Sequence, residues 1–184
     1  RIAPTLFGGV SYSRLDGDGL QWPCPDAGHP GTATVHADGF VRGRGRLMTL
    51  PYVPTVEQRS ADYPLLLTTG RVLQHYNVGT MTRRSPHRAL EDADYLEINP
   101  QDAAAAGIED GASVKLTSRY GTAVVRSRIT GRVTPGLLFL SFHFPESHTN
   151  ALTSSRGDPE SRCPEYKVTA VRIRALTDVE VAAT

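Results

Sequence analysis

The chain has 184 residues, 39% hydrophobic and 21% charged, enough for one core and too mixed for a disordered tail or a fibre. Lysine and arginine number 20 against 19 acids, and a net charge of +1 excludes attachment to nucleic acid or anionic lipid by bulk charge alone. Two cysteines, Cys24 and Cys163, are too few for a disulfide scaffold, a zinc knuckle or an iron–sulfur run, and they fit a reducing compartment such as the cytoplasm.

Residues 1–54 hold nine of the 17 glycines and six of the 13 prolines, so residues 1–62 read as a loop-rich strap. Val41–Val53 is its one strand candidate, and Trp22, set between Gln21 and Pro23, reads as a pin for a proline-rich loop. From Tyr63 short strands take over. Leu65–Thr69 is an apolar run stopped by Gly70, and Tyr95–Ile98 is a second strand. Asn99 then caps a helix with Pro100 at its first position, Ala103–Ala106 continue it, and Gly107 ends it. Ala112, Val114 and Leu116 alternate with polar residues; a turn at Tyr120-Gly121 and a return over Thr122–Ile129 complete a hairpin. Leu137–Leu140 is apolar on both faces, and Val168–Ile173 supplies the last strand. Some six short strands, one small helix and few charges on the strands suggest a closed barrel over residues 63–176, with 177–184 as a frayed tail. No window approaches the roughly 18 apolar residues of a membrane span, and no signal peptide is read.

Between Tyr63 and Leu90 there are four arginines, two histidines and no acid. Phosphate recognition needs N–H groups freed at glycine turns, small hydroxyls and arginine forks, with no carboxylate to compete. Thr69, Gly70, Arg71, Gly79, Thr80, Thr82, Arg83 and Arg84 supply those groups just after a strand. A solvated basic loop is the other reading of this stretch. Neither Gly-x-Gly-x-x-Gly nor Gly-Lys-Ser/Thr is present, which excludes a Rossmann unit and a P-loop at this position.

The stretch from Thr68 to Pro86, TTGRVLQHYNVGTMTRRSP, resembles the signature loop of a known domain. That domain is the C-terminal, pterin-dinucleotide-binding part of the bis-molybdopterin guanine dinucleotide oxidoreductases, among them formate dehydrogenases and nitrate reductases. Gly19–Pro25, His29–Thr32, Leu96–Ile108, Thr149–Ser154 and Cys163–Ile173 agree with it in order, so the likeness runs over nearly the whole chain. The resemblance implies a mainly β fold, a double-psi six-stranded β-barrel as in aspartate-decarboxylase-like proteins, closing over bis-molybdopterin guanine dinucleotide. It implies that Thr69, Gly70, Arg71, Val72, Leu73, Gln74, His75, Tyr76, Asn77 and Val78 touch the pterin and its phosphates. Phe142 and Asn150 match a second contact region and Lys167 the basic residue of the last strand. Many relatives have a histidine soon after the aromatic residue that follows His75; here Tyr76 is followed by Asn77 and Val78.

The wording of HYNVGTMTRRSP and PEYKVTAVRI is closer to formate dehydrogenase catalytic subunits than to nitrate reductases. Molybdenum or tungsten, its Cys or selenocysteine ligand and a [4Fe-4S] cluster are then expected in an upstream part of a larger polypeptide. This chain carries no catalytic or metal-ligating residue in that reading, Cys24 and Cys163 being packing thiols, and is inactive in isolation. Its partners are the upstream domains and electron-transfer subunits, with no nucleic acid and no membrane segment. The competing class is a small β-barrel gripping single-stranded nucleic acid, which the scattered aromatics disfavour. A hydrolase using either cysteine with a histidine lacks any spacing to support it.

Overall fold

The computed structural model describes residues 3–177 and 179–180. The chain forms two compact units, divided between Tyr52 and Val53. In the first, two one-turn helices, α1 (Pro4–Phe7) and α2 (Tyr12–Leu15), are tied down by Arg14. Its guanidinium donates to the carbonyls of Gly9 and His29, both at 2.7 Å, and packs beside the buried thiol of Cys24. Trp22 packs at 6.3 Å on the ring of Phe7 but stays 57% exposed. The strand expected over Val41–Val53 does not form. Gly43, Gly45 and Pro51 interrupt it, and among the described residues no strand lies beside it to complete a ladder.

The second unit holds the six strands β1 (Leu65–Gly70), β2 (Tyr95–Ile98), β3 (Ser113–Ser118), β4 (Thr122–Ile129), β5 (Leu137–Ser141) and β6 (Thr169–Ala175). They close in the order β1-β5-β2-β4-β3-β6 as a double-psi barrel. β1 runs parallel to β5 and β2 to β4, while the other four pairings are antiparallel. Alternation along β3 sends Val114, Leu116 and Ser118 inward, where Leu67, Leu96, Ile98, Leu138, Leu140 and Val171 fill the barrel. Each fully buried leucine there contributes about 1.5–3 kcal/mol. Helix α3 (Pro100–Ala106) forms where its signals stand: Asn99 Oδ1 accepts the Gln101 N–H at 3.0 Å, and Gly107 takes the left-handed turn with φ 61°.

Ten residues ahead of the expected boundary at 62 already belong to the barrel unit. Glu57 explains it: its buried carboxylate takes the Ala170 N–H at 2.9 Å, the Tyr120 hydroxyl at 2.6 Å and Arg119 at 3.1 Å. The expected frayed tail, 177–184, falls largely outside the described residues. No described helix is long and apolar enough to cross a membrane.

Candidate functional site

Strand register puts three distant segments at one end of the barrel. Gly70 of β1 pairs with Ser141 of the parallel β5, so the loops leaving both strands emerge together. β6 runs antiparallel to β1 with Leu67 opposite Thr169, and continuing that register brings Lys167 alongside Thr69. The contacts agree. Lys167 Nζ donates to the Thr69 carbonyl at 2.6 Å, and the buried Thr69 hydroxyl donates to the Tyr166 carbonyl at 2.8 Å.

Around that seam, Arg71 donates to Asn77 Oδ1 at 2.6 Å and its guanidinium stands 6.0 Å over the Phe142 ring. Lys167 Nζ approaches the same ring to 5.9 Å and the Tyr166 ring to 4.9 Å. Asn77 has φ 48°, a left-handed position that asparagine tolerates better than the bulkier residues do. Thr69, Gly70, Arg71, Val72, Asn77, Phe142 and Lys167 are thus one cluster.

The rest of the loop divides by the way each side chain faces. His75 is buried: Nε2 donates to the Glu91 carbonyl at 2.7 Å, and Nδ1 accepts from the Thr82 hydroxyl at 2.9 Å, which itself takes the Tyr76 N–H. His75 and Thr82 therefore brace the loop from beneath. Leu73, Tyr76, Val78 and Thr80 face outward, and Leu73 is fully exposed. Gln74 is half-buried and lines, with Arg71 and Leu73, a recess of about 490 Å³ that Arg128 and Arg132 complete. On the other side Val78, Phe142 and Asn150 line a second recess of about 260 Å³.

Arg83 turns away from Arg71. It pairs with Glu146 at 2.5 Å and lies 4.7 Å over the Phe144 ring, leaving its buried Nε–H without a partner among the described residues. The acid-free stretch of sequence thus meets a carboxylate in space, supplied from 63 residues further on. A backbone hydrogen bond first and Arg83 second hold the Glu146 carboxyl below its ordinary value.

Four residues of this architecture are not singled out by the sequence reading, though Tyr166 lies within the Cys163–Ile173 stretch that carries the resemblance. Asp94, buried just ahead of β2, accepts from the Ser141 and Ser147 hydroxyls and from the N–H groups of His143 and Phe144. His143, fully buried, meets the loop at Val72 and at Asn77. Tyr166 and Glu146 complete the set. The one local signal for His143 is its place two residues after the apolar strand β5.

The donor set is cationic and amide-rich on one side and aromatic or aliphatic on the other, which suits an anionic diphosphate joined to a flat ring system. Among the described residues no group of three or more His, Cys, Asp or Glu could hold a metal ion.

The family model described as "Molydopterin dinucleotide binding domain" matches residues 65–170. The chain is 42% identical over 173 residues to the F420-dependent formate dehydrogenase subunit alpha of Methanocaldococcus jannaschii, covering 92% of this chain and 26% of that protein. Over 174 residues it is 38% identical to the assimilatory nitrate reductase catalytic subunit of Bacillus subtilis, covering 91% of this chain and 24% of that protein. Among solved structures, acetylene hydratase from Pelobacter acetylenicus superposes with a TM-score of 0.56 at 17% identity, over 69% of this chain and 21% of that one, a likeness of fold. The chain spans about a quarter of the length of the curated relatives it matches.

Proposed function

Because the chain belongs to the molydopterin dinucleotide binding domain family, we propose that its loop Thr69–Val78, with Phe142, Asn150 and Lys167, holds the dinucleotide. The observation that carries this reading is the convergence of Arg71, held by Asn77, and Lys167 on the Phe142 ring at the barrel end, inside the matched residues. Arg71 and Lys167 would grip the diphosphate, Asn150 the polar edge of the pterin and the outward-facing Thr80 the phosphate end, while Thr82 braces the loop beneath them and Arg83 is held on Glu146. Bound to molybdenum or tungsten as the bis-guanine form, the cofactor supplies two-electron redox chemistry. The residues here bind, orient and shield it.

The parent activity this supports best is formate oxidation to carbon dioxide, with two electrons and a proton released, in keeping with the 40–42% identity to formate dehydrogenase alpha subunits. The nitrate reductase reading stands second on 38% identity. In this reading the metal ligand and a [4Fe-4S] cluster belong to upstream domains, and electron-transfer subunits carry the electrons away. A cytoplasmic setting is supported by two cysteines that are both unpaired.

Titrating guanosine diphosphate into the chain and into Arg71→Ala tests the phosphate grip. Losing one charge-assisted bond should weaken binding by about 1.5–3 kcal/mol, tenfold or more. Equal affinities would remove the loop from the site.

A further inference from the structure

We propose that the outer wall of the barrel over β3, β4 and β6 is a docking face for an acidic, extended segment of a separate protein chain. The face shares no residue with the loop Thr69–Val78 and does not depend on the function proposed above.

Strand register builds it. Alternation turns Lys115 and Thr117 of β3 outward, beside Arg172 and Arg174 of β6 and Thr122 of β4. Lys115 stands directly opposite Arg174, and in the next row Thr117 lies between Arg172 and Thr122. With Ile173 these residues line a recess of about 560 Å³, and no acid lines it. Acids reach this wall only at its margins. Glu180 pairs with Arg174 at 2.8 Å, and Asp92 approaches Arg126, further along β4, to 3.5 Å. Between them, the side chains of Lys115 and Arg172 make no hydrogen bond or ion pair among the described residues; Arg172 has only the Tyr63 ring, at 6.0 Å.

Two like charges set opposite each other across a pair of strands destabilise the sheet. A wall that had only to be wet would do better with threonine at either position. A net charge of +1 for the whole chain makes this a local concentration of cations rather than general basicity. An acidic partner is what turns the repulsion between Lys115 and Arg174 into attraction.

The chemistry of that partner follows from the wall. The barrel is closed, so no strand edge is open and recognition runs through side chains. Residues two apart on a strand repeat every ~7 Å on one face, as Arg172 and Arg174 do, and carboxylates at alternate positions of an extended peptide have the same repeat. Nucleic acid fits less well, because no aromatic side chain lines the recess to stack a base and the nearby Tyr63 ring is taken by Arg119 at 4.9 Å. A fixed interface is built round an apolar core, and Ile173 is the one aliphatic side chain lining the recess. Exposed charges add little to a permanent contact but speed encounter, which suits a transient partner on another chain.

The test titrates a capped peptide of alternating Glu and Thr into the whole ¹⁵N-labelled chain, followed by nuclear magnetic resonance, with a Gln-for-Glu peptide as control. The amides of Lys115, Thr117, Thr122, Arg172 and Arg174 should shift saturably with the acidic peptide alone. Affinity should fall about tenfold or more between about 0.05 M and about 0.5 M salt. Lys115→Glu should weaken binding about tenfold or more while raising the urea midpoint, since it replaces a like-charge pair with an opposite one. A residue that served the fold alone would not move the two in opposite directions. Arg172→Gln should also weaken binding, and it decides the matter if Lys115→Glu disturbs the fold. No saturable shift, equal binding of the Gln peptide, or shifts gathered at Arg71 and Lys167 instead would overturn the docking face. So would a thymidine oligonucleotide that displaces the peptide from the same amides at lower concentration, which would make the wall a nucleic-acid surface.

Discussion

Asp94 shows how one buried carboxylate can set a site it does not line. It is 3% exposed, and its donors are the hydroxyls of Ser141 and Ser147 and the backbone of His143 and Phe144, where the chain turns off β5. That turn aims Phe142 and the His143 ring at the loop. Removing the acceptor leaves two buried N–H groups with nothing to replace water, and each such loss costs about 1–3 kcal/mol. Asp94→Ala should therefore destabilise the chain by about 3 kcal/mol, read as a lower urea midpoint at unchanged slope. It should also loosen the Val72 amide, since His143 loses its anchor. A midpoint within about 0.5 kcal/mol of wild type, the range of ordinary surface changes, would show that water fills the role.

At the level of elements, the sequence spoke clearly wherever a signal was local. Asn99, Pro100 and Gly107 bound a seven-residue helix that forms as its caps dictate, and the β3–β4 hairpin turns where Tyr120-Gly121 indicated. Asn99 does more than cap: its Nδ2 donates to the Val133 carbonyl at 2.8 Å, fastening the helix to the crossover between β4 and β5. Asn99→Ala should cost about 1–2 kcal/mol, more than an exposed cap, because both bonds vanish. Asn99→Ser, which restores only the cap, should recover part of that loss, and full recovery would assign the Val133 bond no weight. What the sequence hid lay in partners distant along the chain. Val72 and His143 are 71 residues apart, His143 and Asp94 49, and Arg83 and Glu146 63. No spacing rule reaches so far, so the loop was legible as a phosphate-like motif while its braces were not. Val41–Val53 failed for the opposite reason, having strand-like residues without a strand to pair with.

For the whole molecule, the decisive question is where the barrel begins. The hydrophobic core lies entirely within the unit that starts at Val53, which predicts that residues 53–184 fold without the first 52. Starting instead at residue 63 removes Glu57, and with it the acceptor of the Ala170 N–H, a fully buried group on β6. Arg119 would lose its carboxylate as well, and the Tyr120 hydroxyl its acceptor. Leaving the buried Ala170 N–H without an acceptor costs about 1–3 kcal/mol, and the half-exposed Arg119 and Tyr120 add less. The shorter piece should melt well below the longer one, and Glu57→Gln within residues 53–184 should reproduce a large part of the difference. If both pieces unfold at the same urea concentration, Glu57 is dispensable and the barrel closes on its six strands alone. If only the shorter piece fails and Glu57→Gln is neutral, the contribution lies in the packing of residues 53–62 rather than in the carboxylate. The predicted outcome, loss with both changes, makes a single acid ahead of β1 the fastening between the lead-in segment and the last strand. That strand's approach carries Tyr166 and Lys167, so the same fastening holds one wall of the proposed cofactor site.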